Sequence, residues 1–320
     1  MESLVGSGKA SRILVIKLSA LGDMVHAMSA FQGIRRAHAE DEVVLLTRPP
    51  YRGLADACGC FDRIWTNGKP CWWRPWERIA LNRQLRQAGF SRVYDLQWSS
   101  LSNRTYRALA STGLEWVGVA PGCSHFYAGR RDHKHIETRQ AEMLALASID
   151  DLVPGDFGFL QGDRAAVPSG DFALIAPGSA ANRTVKRWPL ESFIEICRRL
   201  VGLGLDPVIV GGAAEAEAIA QIRAACPEAR HYKTDLGTLA EFGRAARVAI
   251  GNDTGPIHLF AALGCPTFVL FGPEGIPEKN QPLGPVQVLW EDSLDKIGVQ
   301  DVFGAIETAL EQAGQESKEA

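Results

Sequence analysis

The chain has 320 residues, of which 46% are hydrophobic, and a formal net charge of −3, values that fit a globular protein with a full core. The charge excludes a general nucleic-acid binder, no apolar run approaches the roughly 20 residues of a membrane span, and the seven scattered cysteines include no C-x-x-C pair that would indicate a zinc site. Because the N-terminus lacks an apolar signal-peptide core, we expect a cytoplasmic protein, and the length suggests two domains.

The first half of the chain alternates short apolar runs with helical patterns. Residues 13–17 form an apolar run that is typical of a parallel strand buried on both faces. A loop over residues 18–22 follows, and then an amphipathic helix predicted from Asp23 to about Ala37. Further strands are predicted at residues 43–47, 63–65, 93–96 and 116–119, with helical stretches between them such as residues 75–88.

The second half repeats this design after a charged stretch with Gly and Pro at residues 150–170. We interpret that stretch as the linker between an N-terminal domain over residues 1–160 and a C-terminal domain over residues 161–320. Strands are predicted at residues 172–176 and 207–210, and helices at residues 190–203, 214–225 and 238–246. Alternating strands and helices predict an α/β protein with two doubly wound, Rossmann-like domains, whose ligands bind at the carboxyl ends of the strands and in the cleft between the domains.

The most informative segment is residues 247–273, RVAIGNDTGPIHLFAALGCPTFVLFGP. It predicts two buried strands, at residues 248–251 and 267–271, that flank a short helix from about Thr254 to Leu263. A strand that turns directly into a helix N-terminus presents free N–H groups and the positive end of the helix dipole, which suits an anion. Gly255 adds no side chain that would block a phosphate. Asp253 and His258 could flank the anion with one acceptor and one donor; alternatively, Asp253 caps the helix and His258 packs beneath it.

Three other strand-to-helix junctions have residues suited to chemistry. Gly22 and Asp23 open the first helix without a G-x-G-x-x-G pattern, and Asp23 is either a general base or an N-cap. The loop APGS at residues 176–179, followed by a Lys-Arg pair before Pro189, suits a diphosphate. Two glycines at residues 211–212 precede two acids that could bind ribose hydroxyls.

Basic residues are concentrated in one part of the first half. Residues 69–107 contain eight Lys and Arg against two Asp and Glu, interleaved with Trp72, Trp73, Trp76 and Trp98. One interpretation is a solvated helix with aromatic residues in the core. The other is a surface that meets a phosphorylated or membrane-bound substrate, with Arg side chains on phosphates and Trp at the interface.

The motifs KLSALGDMVHA, APGSA…KRWP, GGAAEAE and GNDTGPIHLFAALGCP, taken in this order and spacing, resemble the heptosyltransferases of glycosyltransferase family 9 over essentially the whole chain. The resemblance implies a GT-B fold with an N-terminal acceptor-binding domain and a C-terminal nucleotide-sugar-binding domain. It further implies inverting, metal-independent transfer of a heptose from ADP-heptose to a lipopolysaccharide inner-core acceptor of the lipid A–Kdo type. No cofactor is expected, since ADP-heptose is a substrate.

The resemblance also assigns roles to individual residues. Asp23 matches the catalytic base, and Lys186 matches the lysine that neutralises the donor phosphates. Glu217, with Glu215 as the second choice, corresponds to the acid that binds the ribose, and Leu236 corresponds to a contact with the base. The other expected donor-binding residues are Gly22, Ser179, Asp253, Thr254, Gly255 and His258, and the expected acceptor-binding residues are Arg74, Arg78, Arg130 and Arg131.

Three alternatives stay open at this point. The chain could use a different nucleotide sugar or glycan acceptor within the same family, it could be a GT-B-fold sugar-nucleotide epimerase or hydrolase, or it could bind nucleotides without catalysis. The expected partners are a nucleotide-diphosphate sugar and an anionic glycolipid at the inner membrane, with no nucleic acid. We therefore expect a cytoplasmic protein that acts at the cytoplasmic face of that membrane.

Overall fold

The computed structural model describes residues 11–67, 74–129, 133–178 and 187–319, with side chains described up to residue 315. Contacts divide the chain into two units between Asp156 and Phe157. One short helix, α1 (Leu21–His26), is an exception, because it groups with the second unit although it lies early in the sequence. The predicted boundary after residue 160 falls four residues beyond the division at residue 156.

The first unit is a six-stranded parallel sheet with helices between its strands. Its strands are β1 (Arg12–Ile16), β2 (Glu42–Leu46), β3 (Arg63–Trp65), β4 (Arg92–Asp95), β5 (Glu115–Gly118) and β6 (His125–Phe126). Its helices are α2 (Met28–Ala37), α3 (Arg52–Ala57), α4 (Pro75–Gln87), α5 (Ser100–Leu109) and α6 (Ile136–Ala145). The strand order is β3-β2-β1-β4-β5-β6, with β1 paired in parallel to both β2 and β4.

The second unit has the same design. Its strands are β7 (Phe172–Ala176), β8 (Asp206–Ile209), β9 (Arg230–His231), β10 (Val248–Asn252), β11 (Thr267–Phe271) and β12 (Val286–Trp290). Its helices, in addition to α1, are α7 (Leu190–Gly202), α8 (Ala216–Ala225), α9 (Leu236–Ala245), α10 (Gly255–Ala262), α11 (Pro277–Asn280) and α12 (Val299–Glu319). The order β12-β11-β10-β7-β8-β9 repeats that of the first sheet, read from the other end.

Burial on both faces explains why the central strands are continuous apolar runs. Every residue of β7, β10 and β11 is buried, as are four of the five residues of β1, because helices cover both faces of a parallel sheet. Aromatic side chains fill the space between sheet and helices, with Trp116 in the first unit and Phe193 in the second among the largest fully buried ones. The predicted α/β architecture of two doubly wound units is therefore confirmed.

The prediction of one continuous helix from Asp23 to about Ala37 is wrong. The chain forms α1 up to His26 and α2 from Met28, with a break at Ala27, where ψ is −3° rather than the value near −42° of a regular helix. The break separates a segment that packs in the second unit from one that packs in the first. Tertiary packing therefore overrides an amphipathic pattern that runs through the junction. Within the described residues, no helix combines the length and the apolar character needed to cross a membrane.

Candidate functional site

The carboxyl edge of the second sheet is held together by one buried amide, that of Asn252 at the end of β10. Its Oδ1 accepts a hydrogen bond from the N–H of Trp188 at 2.9 Å. Its Nδ2 donates to the carbonyl oxygens of Pro177 at 2.8 Å and Gly178 at 3.2 Å. These bonds satisfy the amide and fix the loop after β7, the start of α7 and the end of β10 relative to one another. The sequence interpretation missed Asn252, although a polar residue at the end of a buried strand was a usable signal.

The helix α10 begins at this edge with an N-terminus that makes no side-chain cap. Its N-cap residue is Thr254, which has extended backbone angles and forms no capping hydrogen bond through its side chain. The alternative in which Asp253 caps this helix is therefore wrong. Pro256 has no N–H, and the N–H groups of Ile257 and His258 donate to the carbonyl oxygen of Thr254. The N–H of Gly255 and the positive end of the helix dipole are therefore the features that suit this helix start to an anion.

Asp253 contacts His258 instead. Its Oδ1 lies 3.1 Å from Nε2 of His258, and the imidazole is almost wholly buried. The other ring nitrogen, Nδ1 of His258, is buried and has no hydrogen-bond partner within the described part of the chain. The ring of His258 also meets the ring of His26 edge-on, with centroids 4.7 Å apart. His258 is thus packed beneath the helix start and, at the same time, holds the Asp253 carboxylate.

The short helix α1 packs tightly against α10 because two glycines face the contact. A Cβ placed on Gly22 would lie 2.7 Å from Cδ2 of His258, and a Cβ placed on Gly255 would lie 2.6 Å from Cβ of Leu21. Real Cβ atoms do not approach this closely, so both positions require glycine for this packing. Asp23 follows Gly22 directly and is partly exposed. The structure therefore gathers the predicted residues Gly22, Asp23, Asp253, Thr254, Gly255 and His258 in one place.

A cavity of about 750 Å³ lies beside the N-terminus of α10, and Thr254 and Pro256 form part of its wall. Glu215 also lines it and accepts a hydrogen bond from the N–H of Gly212 at 2.8 Å. A Cβ on Gly178 would lie 2.8 Å from Cγ of Glu215, so the glycine gives that carboxylate its room. The volume falls in the range that is typical of small-molecule and cofactor sites.

Of the two acids that were candidates for binding the ribose, only Glu215 lines the cavity. Glu217 is exposed, accepts a hydrogen bond from Nε2 of Gln221 at 3.3 Å and does not line the cavity. Leu236, expected at the base, is the first residue of α9 and is also absent from the lining, whereas Leu239 one turn later is present. Cavity residues that the sequence interpretation missed include Arg223, His231, Tyr232, Lys233, Thr234 and Phe242.

The carboxyl edge of the first sheet contains a buried polar network. Asp95, at the end of β4, is fully buried, and this burial raises its pKa to about 6. Its Oδ1 accepts hydrogen bonds from the N–H groups of Gln97 at 3.0 Å and Trp98 at 3.2 Å. The buried Lys17, at the end of β1, donates to the carbonyl oxygen of Leu96 at 3.1 Å.

This network also holds the loop that leads to α1. The N–H of Leu18 donates to Oε1 of Gln97 at 2.6 Å, and Nε2 of Gln97 donates to Oγ of Ser19 at 3.0 Å. The loop over residues 18–20 is therefore anchored to the end of β4. The sequence interpretation had counted Asp95 only as one of the two acids in a basic stretch.

The predicted acceptor-binding residues are only partly described. Arg74 and Arg78 lie in the first turn of α4 or just before it, both exposed, and Nη1 of Arg74 lies 3.1 Å from Oε1 of Glu77. Arg130 and Arg131, together with Ser179 and Lys186 of the donor side, lie outside the described residues, as do Trp72 and Trp73 of the basic stretch. Within the described ranges, no group of three or more His, Cys, Asp or Glu side chains is arranged to hold a metal ion.

Comparison with known proteins gives a consistent result. The family model described as "Glycosyltransferase family 9 (heptosyltransferase)" matches residues 78–292, which include parts of both units. Lipopolysaccharide heptosyltransferase 1 of Escherichia coli strain K12 is 24% identical over 285 residues, which cover 82% of this chain and 88% of that protein.

Two solved structures share the fold over nearly the whole chain. The structure of E. coli ADP-heptose LPS heptosyltransferase II aligns with a TM-score of 0.74 and 20% identity, covering 95% of this chain and all of that one. The structure of E. coli heptosyltransferase WaaC with ADP aligns with a TM-score of 0.71 and 20% identity, covering 93% and 99% of the two chains.

Proposed function

Because this chain belongs to glycosyltransferase family 9, we propose that it transfers a heptose from ADP-heptose to a lipopolysaccharide inner-core acceptor of the lipid A–Kdo type. Its membership confirms the resemblance found in the sequence motifs and the prediction of a glycosyltransferase, and the solved structures confirm the GT-B fold. The choice of donor is supported by the printed names of similar proteins, one an ADP-heptose heptosyltransferase and another bound to ADP. The acceptor class is supported by the similarity to lipopolysaccharide heptosyltransferase 1.

The observation that carries the donor half of the proposal is the cavity that opens beside the free N-terminus of α10. We place the nucleoside of the donor in this cavity, with the ribose hydroxyls on the Glu215 carboxylate. The diphosphate then meets the N–H of Gly255 and the positive end of the α10 dipole, where the glycine leaves the backbone accessible. Asp253, whose carboxylate is held by His258, is proposed to bind hydroxyl groups of the donor sugar.

The chemical step that we propose is a direct displacement with inversion. The oxygen of an acceptor hydroxyl attacks the anomeric carbon while its proton passes to the carboxylate of Asp23. The bond between the anomeric carbon and the β-phosphate oxygen breaks, and ADP leaves with one additional negative charge. The N-terminus of α10 stabilises that developing charge, together with Lys186 from outside the described residues. In this scheme neither a metal ion nor a cofactor takes part.

The acceptor side of the proposal assigns the first unit to a membrane-embedded anionic glycolipid. Arg74, Arg78, Arg130 and Arg131 remain the predicted contacts with its phosphates and carboxylates, since Arg side chains bind such groups with two parallel hydrogen bonds. We propose that the protein works at the cytoplasmic face of the inner membrane as a peripheral enzyme.

The test is a transfer assay with the purified protein. Release of the nucleoside diphosphate (ADP, UDP or GDP) and conversion of the donor are measured with ADP-heptose, UDP-glucose or GDP-mannose as donor, with and without a lipid A–Kdo acceptor, and a parallel series contains EDTA. We expect release only with ADP-heptose and acceptor together, unchanged by EDTA. Conversion of the donor without acceptor would indicate an epimerase or hydrolase, another active donor would overturn the choice of heptose, and loss of activity in EDTA would overturn metal independence.

A further inference from the structure

One face of α4 exposes two large apolar side chains. Trp76 is 62% exposed and Ile79 is 66% exposed. They lie three residues apart, so they share one face of the helix, and Arg83, four residues after Ile79, continues that face. The opposite face carries Leu81 and Leu85, which are buried in the core of the unit.

Positive charge lies beside these two side chains. Arg83, on the same face, is exposed and forms no ion pair or hydrogen bond with any described residue. Arg78 is also exposed, but it lies two residues from Trp76 and therefore on another side of the helix. Glu77 is the one acidic residue of the helix, and Arg74, just before the helix, forms an ion pair with it. The surface therefore offers two apolar side chains beside a guanidinium group that has no counter-ion among the described residues, a combination that suits an anionic interface between water and an apolar phase.

The face of α4 that carries Trp76 and Ile79 begins at the carboxyl edge of the first sheet. The helix α4 connects β3 to β4 in a sheet whose strands are all parallel, so it runs back along the sheet and begins at the carboxyl edge. Trp76 lies in its first turn and thus at that edge, which is the edge of Asp95, Gln97 and the loop leading to α1. In doubly wound folds ligands bind at this edge.

We propose that this face of α4, formed by Trp76, Ile79 and Arg83, docks the protein on an anionic lipid bilayer. Trp76 and Ile79 enter the headgroup region, and the guanidinium group of Arg83 binds a lipid phosphate. Two apolar side chains are too little for a stable protein interface, which buries about 800 Å² on each partner, but they suffice for shallow insertion supported by charge. The inference deepens the proposed function, since a bilayer at this edge would present an embedded glycolipid to the first unit.

The experiment is flotation of the full chain with two kinds of vesicle. One kind is neutral phosphatidylcholine, and the other is phosphatidylcholine that contains roughly 30 mol% phosphatidylglycerol, which gives it a negative surface potential. We expect binding to the anionic vesicles, weakening as salt increases. The double variant Trp76→Ser/Ile79→Ser is expected to bind at least about 5-fold more weakly, and Arg83→Glu to lose most of the charge-dependent part. Trp290→Ser is the matched control, because Trp290 is 50% exposed on β12 of the second unit and should not affect binding.

Two outcomes overturn the docking proposal: absence of wild-type binding to anionic vesicles, and equal binding by wild type and the double variant. Melting temperatures of all variants are compared, and little change is expected because the substituted side chains are exposed. Transfer assays separate this proposal from the proposed function. The double variant should retain turnover with a detergent-solubilised acceptor and lose it with the acceptor in vesicles. If the wild-type protein bound vesicles but had no transferase activity, the docking proposal would hold and the proposed function would be overturned.

Discussion

The carboxyl edges of the two sheets have the same strand order, but a cavity lies at the second edge and buried side chains fill the first. At the second edge, Gly178 leaves the Glu215 carboxylate room to line a cavity of about 750 Å³. At the first edge, a Cβ on Gly118 would lie 2.9 Å from Nε1 of Trp116 and 3.0 Å from Cβ of Asp95, so the glycine makes room for buried side chains. The same residue type at the carboxyl edges of the two sheets thus serves ligand space in one unit and internal packing in the other. Strand order alone does not decide which use a junction has.

The largest effect is expected from removing the carboxylate of Asp23 in α1, the early helix that groups with the second unit. Asp23→Asn should reduce turnover roughly 10²- to 10⁴-fold, the usual effect of losing a general base, because the amide cannot accept the proton. Donor binding should persist, since the α10 N-terminus is unchanged. Steady-state kinetics and ADP calorimetry measure the two effects. Near wild-type turnover would leave Asp23 with a structural role only.

The buried network of the first edge makes a prediction about stability and pH. The folded-state pKa of Asp95, about 6, lies above its ordinary value of 3.8, so between these pH values the folded protein holds a proton that the unfolded chain has released. Asp95 therefore lowers the free energy of unfolding as pH rises through this window. In Asp95→Asn this dependence is lost, and its stability relative to wild type should rise by about 3 kcal/mol between pH 4 and pH 7.

Urea unfolding at several pH values measures this difference. Only its slope with pH is diagnostic, because any effect of the substitution that does not depend on pH shifts all values together. A difference that is flat across the window would show that Asp95 titrates like an exposed carboxyl group.

The cavity at the second edge is tested by comparing variants of two neighbouring acids, Glu215 and Glu217. Glu215→Gln should weaken ADP binding roughly 10- to 100-fold, because a hydrogen bond from a ribose hydroxyl to a charged acceptor is lost. Glu217→Gln is the matched control and should bind ADP like wild type, since Glu217 does not line the cavity. Calorimetry gives the affinities for ADP. Melting temperatures show whether the substitution at Glu215 preserves the fold, to which the hydrogen bond from the N–H of Gly212 contributes. The reverse order of effects would restore the assignment to Glu217.

The smallest expected effect concerns the packing of α1 on α10. In Gly22→Ala, the new methyl group meets the ring of His258, which Asp253 and His26 hold on two sides and which cannot easily move. We expect a loss of about 1–3 kcal/mol in the free energy of unfolding, together with slower transfer. Gly53→Ala in α3 is the control, since a Cβ there meets no atom within 4 Å, and it should be neutral or stabilising by up to about 1 kcal/mol. Equal behaviour of the two variants would contradict tight packing at Gly22.

The sequence predicts those parts of the fold and site that depend on local chemistry. The strand Thr267–Phe271 has the predicted bounds, because a fully buried parallel strand needs an apolar residue at every position. The anion-binding start of α10 was likewise predictable, since a strand, a Gly-Pro pair and an apolar helix follow one another directly. Both features are contained in a few consecutive residues.

Other features depend on geometry that the sequence leaves open. Glu215 and Glu217 are two residues apart, and only the short 3₁₀ turn Ala213–Glu215 before α8 decides which of them faces the cavity. Lys233 and Arg223 come to the same cavity from different elements, through the pairing of a two-residue strand that has too little pattern to predict. The break at Ala27 arises because α1 and α2 pack in different units. Tertiary packing, which no local pattern encodes, decided each of these cases.

The early helix α1 has a consequence for recombination between related enzymes. A chimera that joined residues 1–156 of one family member to the remainder of another would bring Gly22 and His26 from the first parent and Gly255 and His258 from the second. Those four residues form one contact surface in which a misplaced methyl group would clash. Donor specificity therefore cannot be exchanged cleanly at the unit boundary. A working exchange needs six residues of the early sequence, Leu21–His26, to travel with the later half of the chain.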